Sequence, residues 1–453
     1  MKPKNELGLW SGIGLVAANM IGAGVLLSTG FMAQSMGPGA ILLAWAVGAA
    51  LALAGARAYA AVSQLVPRSG GEYRYLSELM HPSLGYAAGW ASLLVGFSAP
   101  IAVDALAAGA FAKTLSGSLD PRWVGAGLIL ALTVMHIAGL KASVRGQNLL
   151  VAVKAALIVG FVGLGLLGGN NQWPVWTPPA AGAGFPLAAF IGSLFYIAFA
   201  FSGWNAAAYA AEEFREPGRD VPRAMLIGCA LVAALYFAVN WIFVANLTPA
   251  DAAAVFSYET ERVTLGHLIA QRLLGPGAGR VMSAAVILML VSAMSAMTFA
   301  GPRVYAAMAR DGFLPKVFAG REGRPPAASV LLQSALALAI VFTHELRQAL
   351  SNVGAILTLF AALTVGGLFR AYFASGGRFP KPPLSSLAAA GIYSASAAYM
   401  LYFGFRDKSS TLIWWVTGVL AAAFAAYAIT RAAGGKLPAA PAGPPASDPA
   451  VSP

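Results

Sequence analysis

The sequence predicts an all-α membrane protein of about twelve transmembrane helices, and three observations carry that prediction. Hydrophobic residues make up 58% of the 453-residue chain and charged residues only 10%, against roughly 25% charged in an average soluble domain. The mean hydropathy is +0.71, so lipid rather than water must be the main solvent. The apolar runs are long and continuous rather than alternating. Because backbone groups in hydrocarbon must be satisfied internally, such runs favour helices over a barrel.

Reading apolar runs between turn and charge clusters places the spans in order. They are Leu9 to Ala33, Ala40 to Val66, Leu84 to Ala112, Val124 to Leu140, Leu149 to Leu167 and Leu187 to Ala211. Then follow Ala224 to Leu247, Val281 to Met308, Ala327 to Phe342, Ile356 to Ala374, Leu387 to Phe403 and Leu412 to Thr430. Met1 to Glu6 is too short and polar for a signal peptide, so the first run is expected to stay as span one. An even number of spans puts both termini on one side. With the N-terminus inside, roughly 19 Lys and Arg fall in cytoplasmic segments and about 8 outside, the bias of a cell (inner) membrane protein with cytoplasmic termini.

Thr248 to Gly279 is the longest outside connection, with a short interfacial helix expected over Val263 to Leu274 as a candidate lid. From Gly434 the chain is rich in Pro and Ala and reads as a disordered cytoplasmic tail, 434–453, after a permease-sized domain of residues 1–433.

Several function classes are excluded. The net charge of +12 is not gathered on a soluble basic face, so nucleic acid is not a partner. The single cysteine, Cys229, excludes a disulfide framework within the chain and a Cys-rich metal site. His81, His136, His267 and His344 are scattered without metal-ligand spacing, so no metal, cofactor or catalytic centre is expected. There is no Gly-Lys-Ser/Thr phosphate loop for ATP.

Two spans depart from simple helices. Span one carries Asn19-Met20-Ile21-Gly22-Ala23-Gly24-Val25 at its middle. Glycine costs about 1 kcal/mol against alanine in a helix, so the pair invites unwinding, although close packing through small residues is an equal alternative. Span six repeats the pattern with Phe199-Ala200-Phe201-Ser202-Gly203-Trp204-Asn205. Paired interruptions at corresponding places in two halves point to a transporter site built from inverted repeats. Unwinding exposes N–H groups that attract a carboxylate, beside carbonyls that attract an ammonium, so a zwitterion suits both.

At this point the chain resembles the amino acid/polyamine/organocation (APC) superfamily. Ile21-Gly22-Ala23-Gly24-Val25 is similar to its G-S-G-I segment, and Pro67-Arg68-Ser69-Gly70-Gly71-Glu72-Tyr73 to its P-[KR]-[AS]-G-G-x-Y loop after span two. Further agreement comes from Phe199 to Asn205 with Glu212-Glu213 and Asp220-Val221-Pro222, from Gly301-Pro302-Arg303 with Ala309 to Pro315, and from Lys154 in span five. The Phe-Ala-Phe-Ser-Gly-Trp-Asn run is especially similar to the L-type amino acid transporter branch. The resemblance implies a LeuT-like fold: two inverted five-helix repeats, about 9–170 and 185–375, and two extra helices at about 386–431. Helices one and six would be discontinuous around the substrate.

The resemblance further implies that Gly22, Ala23 and Gly24, within the binding segment Ile21 to Val25, offer amides to the substrate carboxylate. Phe199, Ala200, Phe201 and Ser202 would offer carbonyls to the amine. Phe199 would also be the gate that closes over substrate, and Asn205 a pocket residue. Phe199 on its own would read as an ordinary core- or lipid-facing aromatic. Lys154 would place its ammonium where sodium-coupled relatives bind a cation. A lysine at a span centre costs about 2.5–3.5 kcal/mol on insertion scales, and snorkelling to the inner interface is its bland alternative.

Asp104 lies in the outer half of span three. It would attract a cationic substrate, relay a proton or, as the first reading, pair with a neighbour such as Arg57. Glu212 and Glu213 are expected to pair with nearby arginines. Two departures from the family pattern stand out: Tyr59-Ala60-Ala61-Val62 lacks the acid the family often carries there, and Ala23 replaces a serine.

The expected function is secondary transport of L-amino acids by alternating access, sodium-independent, as exchange or proton symport. Neutral cargo is expected because the pocket offers no assured acid. The alternatives are a cationic amino acid or polyamine carrier using Asp104 and, from other classes, a membrane-embedded enzyme or a non-transporting scaffold or receptor.

Overall fold

The computed structural model describes residues 7–138, 140–178, 184–320, 326–374, 379–406 and 412–432, with the side chains of 140–148 and 307 outside the description. The expected tail and the polar Met1–Glu6 segment fall outside these residues. The described chain is helical, and its one bridge of strand type joins Leu7 to Phe214.

Ten helices are long and apolar enough to cross a bilayer, and two shorter apolar ones, Leu187–Phe201 and Ala327–Thr343, bring the described set to the twelve the sequence predicts. Span one is two helices, Leu9–Met20 and Ala23–Ala33, separated by extended backbone at Ile21 and Gly22. Span six ends as a helix at Phe201 and resumes as the short helix Ala206–Tyr209. Between them Gly203 takes a φ of +105°, a left-handed conformation that glycine adopts without steric cost.

Span three contains an interruption the hydropathy pattern hides. Ser92–Phe97 forms a π-helical turn within Pro82–Leu115. Pro100 cannot donate to the carbonyl of Gly96 and its ring crowds that turn, while Ser98 Oγ donates to Leu93 O at 2.9 Å. The Gly96–Pro100 spacing is the sequence signal for this turn.

The connection from Thr248 to Gly279 is more structured than expected. It holds three helices, Pro249–Ser257, Glu259–Val263 and Leu265–Leu274, with a break at Thr264 inside the single helix that was expected. Thr248 and Asp251 form a reciprocal capping box that starts the first of them. The backbone of Arg262 presses against Gly30, seating this segment on the second half of span one.

Two of the motif stretches meet in space. Tyr73 OH donates to Asp311 Oδ2 at 2.7 Å and Arg74 pairs with the same oxygen at 2.8 Å. Burial and the neighbouring Asp311 carboxylate hold the Tyr73 phenol well above its ordinary range, so it stays a neutral donor. Gly70 and Gly71, at φ +125° and +55°, turn the chain into helix Gly71–Leu79, and a Cβ at Gly71 would strike the Tyr209 ring. That turn sets Glu72 beside span six.

Candidate functional site

The two interruptions lie against each other. A Cβ on Gly203 would stand 3.0 Å from the carbonyl carbon of Asn19, and Gly24 packs directly on the backbone of Ala200. Tyr236 from span seven clasps both: its hydroxyl lies 2.5 Å from Met20 O and 3.0 Å from Ala200 O, where it donates. Sequence reasoning missed Tyr236, since nothing in its apolar surroundings marks it out.

The backbone freed in span one is taken up by ionisable side chains. Lys154 is 1% exposed and donates from Nζ to Ile21 O at 2.7 Å and Ala18 O at 2.9 Å. Its ammonium is therefore spent on the break in span one rather than snorkelling to an interface. Asp104 is also 1% exposed, and its Oδ1 accepts the Ala23 N–H at 2.8 Å, capping the second half of span one. Asp104 and Lys154 thus hold the two sides of the break, at Ala23 and at Ile21.

Two expectations change here. Asp104 does not pair with Arg57, whose guanidinium donates instead to Ser385 Oγ at 3.0 Å. The Ala23 amide expected for a substrate carboxylate is engaged by the protein's own carboxylate.

The interruption in span six lines a partly open cavity. Ser202 and Asn205 line it together with Asn19 of span one, Phe97 from the π turn, Thr358 of span ten and Tyr393 of span eleven. Of the predicted set, only Ser202 and Asn205 reach this wall. Ile21 to Val25 do not line it, and Phe199, Ala200 and Phe201 are buried away from its wall. Phe199 O accepts the Ser202 N–H at 2.9 Å, closing the end of the helix.

Glu72, to which the sequence reading assigned no role, also lines the cavity. Its carboxylate accepts from Tyr59 OH at 2.9 Å, from Tyr209 OH at 2.7 Å and from the Asn205 amide. The pocket is therefore not free of acidic groups, contrary to the expectation from the sequence. The signal for Glu72 was the glutamate inside the Gly-Gly-Glu-Tyr motif.

Glu212 and Glu213 make no ion pair among the described residues. Glu212 N donates to Ser69 Oγ, and the backbone around Glu213 pairs with Leu7. No described group of three or more His, Cys, Asp or Glu is placed to hold a metal ion.

A multi-pass helical protein whose two interrupted spans meet beside a cavity has the architecture of an alternating-access carrier. The chain belongs to the amino acid permease family, which it matches over residues 7–429. It is 27% identical over 422 residues to the mouse large neutral amino acids transporter small subunit 2, covering 88% of this chain and 76% of the relative. It is likewise 27% identical over 376 residues to the rabbit b(0,+)-type amino acid transporter 1, covering 81% and 75%. The mouse Asc-type amino acid transporter 1 is 26% identical over 429 residues, covering 89% and 77%. The chain is therefore a membrane transporter of the APC superfamily with a LeuT-like helical fold, as its motifs imply, and not an enzyme.

Proposed function

We propose that this protein carries L-amino acids, neutral ones foremost, across a cell membrane by sodium-independent alternating access. The observation that carries the reading is the juncture of the two broken spans, with Gly203 against Asn19 and Tyr236 across Met20 and Ala200. The cavity beside it has aromatic walls at Phe97, Trp204 and Tyr393, which suit an apolar side chain. The mouse relative, a large neutral amino acids transporter subunit by name, supports the same cargo.

Sodium independence follows from Lys154. Its ammonium already takes the carbonyls of Ala18 and Ile21, the type of oxygen ligand a bound cation needs, so a metal ion there would have to displace a fixed charge. Lys154 is accordingly the residue proposed to couple the break to the cycle. The substrate carboxylate meets the Gly22 and Gly24 amides, and competes with Asp104 for that of Ala23. Closure then swings Phe199 toward the cargo as one bundle rocks on the other. Residues 1–433 act as the transport unit, with two inverted repeats and a pair of extra helices. Both termini are cytoplasmic, in the inner membrane of a cell that has two.

Counterflow into proteoliposomes with a panel of labelled amino acids tests this, with and without sodium or pH gradients. The expected result is saturable movement of neutral L-amino acids that ignores sodium, and the pH arm separates exchange from proton symport. Movement of none of the panel would discard the reading.

A further inference from the structure

The cavity wall holds one carboxylate, Glu72, and no Lys, Arg or His. Glu72 is 8% exposed. Its three partners, Tyr59, Asn205 and Tyr209, are all neutral donors, and among the described residues it joins no ion pair. Neutral donors offset the cost of burying a carboxylate and fix its direction, but they leave its charge uncancelled. The nearest cation in sequence, Arg74, is turned away onto Asp311 at 2.8 Å. A carboxylate offers about four acceptor positions, so three donors leave room for another.

We propose that Glu72 is a specificity-determining residue that receives the ammonium or guanidinium of a cationic side chain, so that the protein accepts cationic as well as neutral amino acids. The inference rests on the amino acid transport proposed above. The positions of the groups support it. Glu72 reaches the cavity through Asn205 and Tyr209, on the far side of the span-six break from Phe199 to Ser202, where the backbone of an amino acid is expected. A side chain extending from that backbone into the cavity therefore runs toward Glu72. Beside low-dielectric protein walls, an uncompensated negative charge attracts a cation more strongly than it would in bulk water. Asp104, the acid the sequence singled out for such a role, is already capping Ala23 and lies outside the cavity wall.

The test compares isosteric inhibitors that differ in charge. Full-length protein in proteoliposomes takes up whichever labelled neutral amino acid the counterflow panel identifies, in competition with arginine against citrulline and lysine against norleucine. The wild type is expected to bind each cationic member at least as tightly as its neutral partner. In Glu72→Gln the cationic-to-neutral affinity ratio should fall by about tenfold or more, as expected for losing one attractive charge pair. Because the readout is a ratio, it survives a general loss of uptake in the variant. The wild-type comparison stands even if the variant fails to fold. Cationic inhibitors that are inert on the wild type, or an unchanged ratio in Glu72→Gln, would reduce Glu72 to a strut between spans two and six and overturn the inference. Absence of any amino acid movement by the wild type would instead strike the underlying transport reading.

Discussion

At the break in span one, the freed backbone groups are held by side chains from three other spans: Lys154 on Ala18 and Ile21, Asp104 on Ala23, and Tyr236 on Met20. At the break in span six, much of the turn closes on itself, with Ser202 N–H on Phe199 O and Ala206 N–H on Gly203 O, and its outer face forms the cavity wall. The first break is therefore maintained by charge, and the second by local conformation. Their vulnerabilities should differ accordingly, the first responding to loss of an ionised partner and the second to a single added methyl group.

The largest effect should come from removing the ammonium at the first break. Without it two buried carbonyls, Ala18 O and Ile21 O, lose their donor at about 1–3 kcal/mol each, so Lys154→Ala is expected to lower proteoliposome uptake by about 100-fold. Its size-exclusion profile should remain that of a folded protein, and uptake near the wild-type level would end the coupling role. Next comes Gly203→Ala, which forces a Cβ into a left-handed backbone and against Asn19. Strain of about 1–3 kcal/mol should cut uptake roughly tenfold, and wild-type activity in that variant would mean the span-six turn does not need its glycine.

Tyr236→Phe tests the clasp that joins the two breaks. It removes the hydroxyl from Met20 O and Ala200 O, for a loss of about 1–3 kcal/mol in a buried site. The expected outcome is a lower melting temperature in detergent with a severalfold drop in uptake, and an unshifted melting curve would count against the clasp. The smallest effect belongs to Arg57→Gln. Its partner is Ser385 at an exposed site rather than Asp104, so stability should change by no more than about 0.5 kcal/mol. A large loss of transport in that variant would restore the Arg57–Asp104 pairing the structure replaces.

The spans themselves were legible because hydropathy is a property of consecutive residues. The predicted Leu9 to Ala33 coincides with the observed span, and the other spans differ mainly at their ends. Both interruptions were legible from glycine near the middle of an apolar run. The helix from Pro249 to Ser257 was missed, since its Thr248–Asp251 capping box lies in a segment without apolar periodicity. The π turn in span three was missed as well, because it leaves the hydropathy of Ser92–Phe97 unchanged.

Side-chain partnership was the least legible part. The sequence marked Lys154 as too costly to be idle, and the structure supplies its two carbonyls. For Asp104 the sequence offered three roles, and the role observed, a helix cap, required knowing that span three passes beside Ala23.

The sequence alone determined that this chain lives in a bilayer, how many times it crosses, and where two of its helices give way, since each of these depends on composition and order within a single run. Tertiary structure decided which groups fill those gaps. Asp104 meets a residue 81 positions away and Glu72 one 133 positions away. Hydrogen bonds of a few ångströms between helices depend on how the helices pack and rotate, which no one-dimensional pattern encodes.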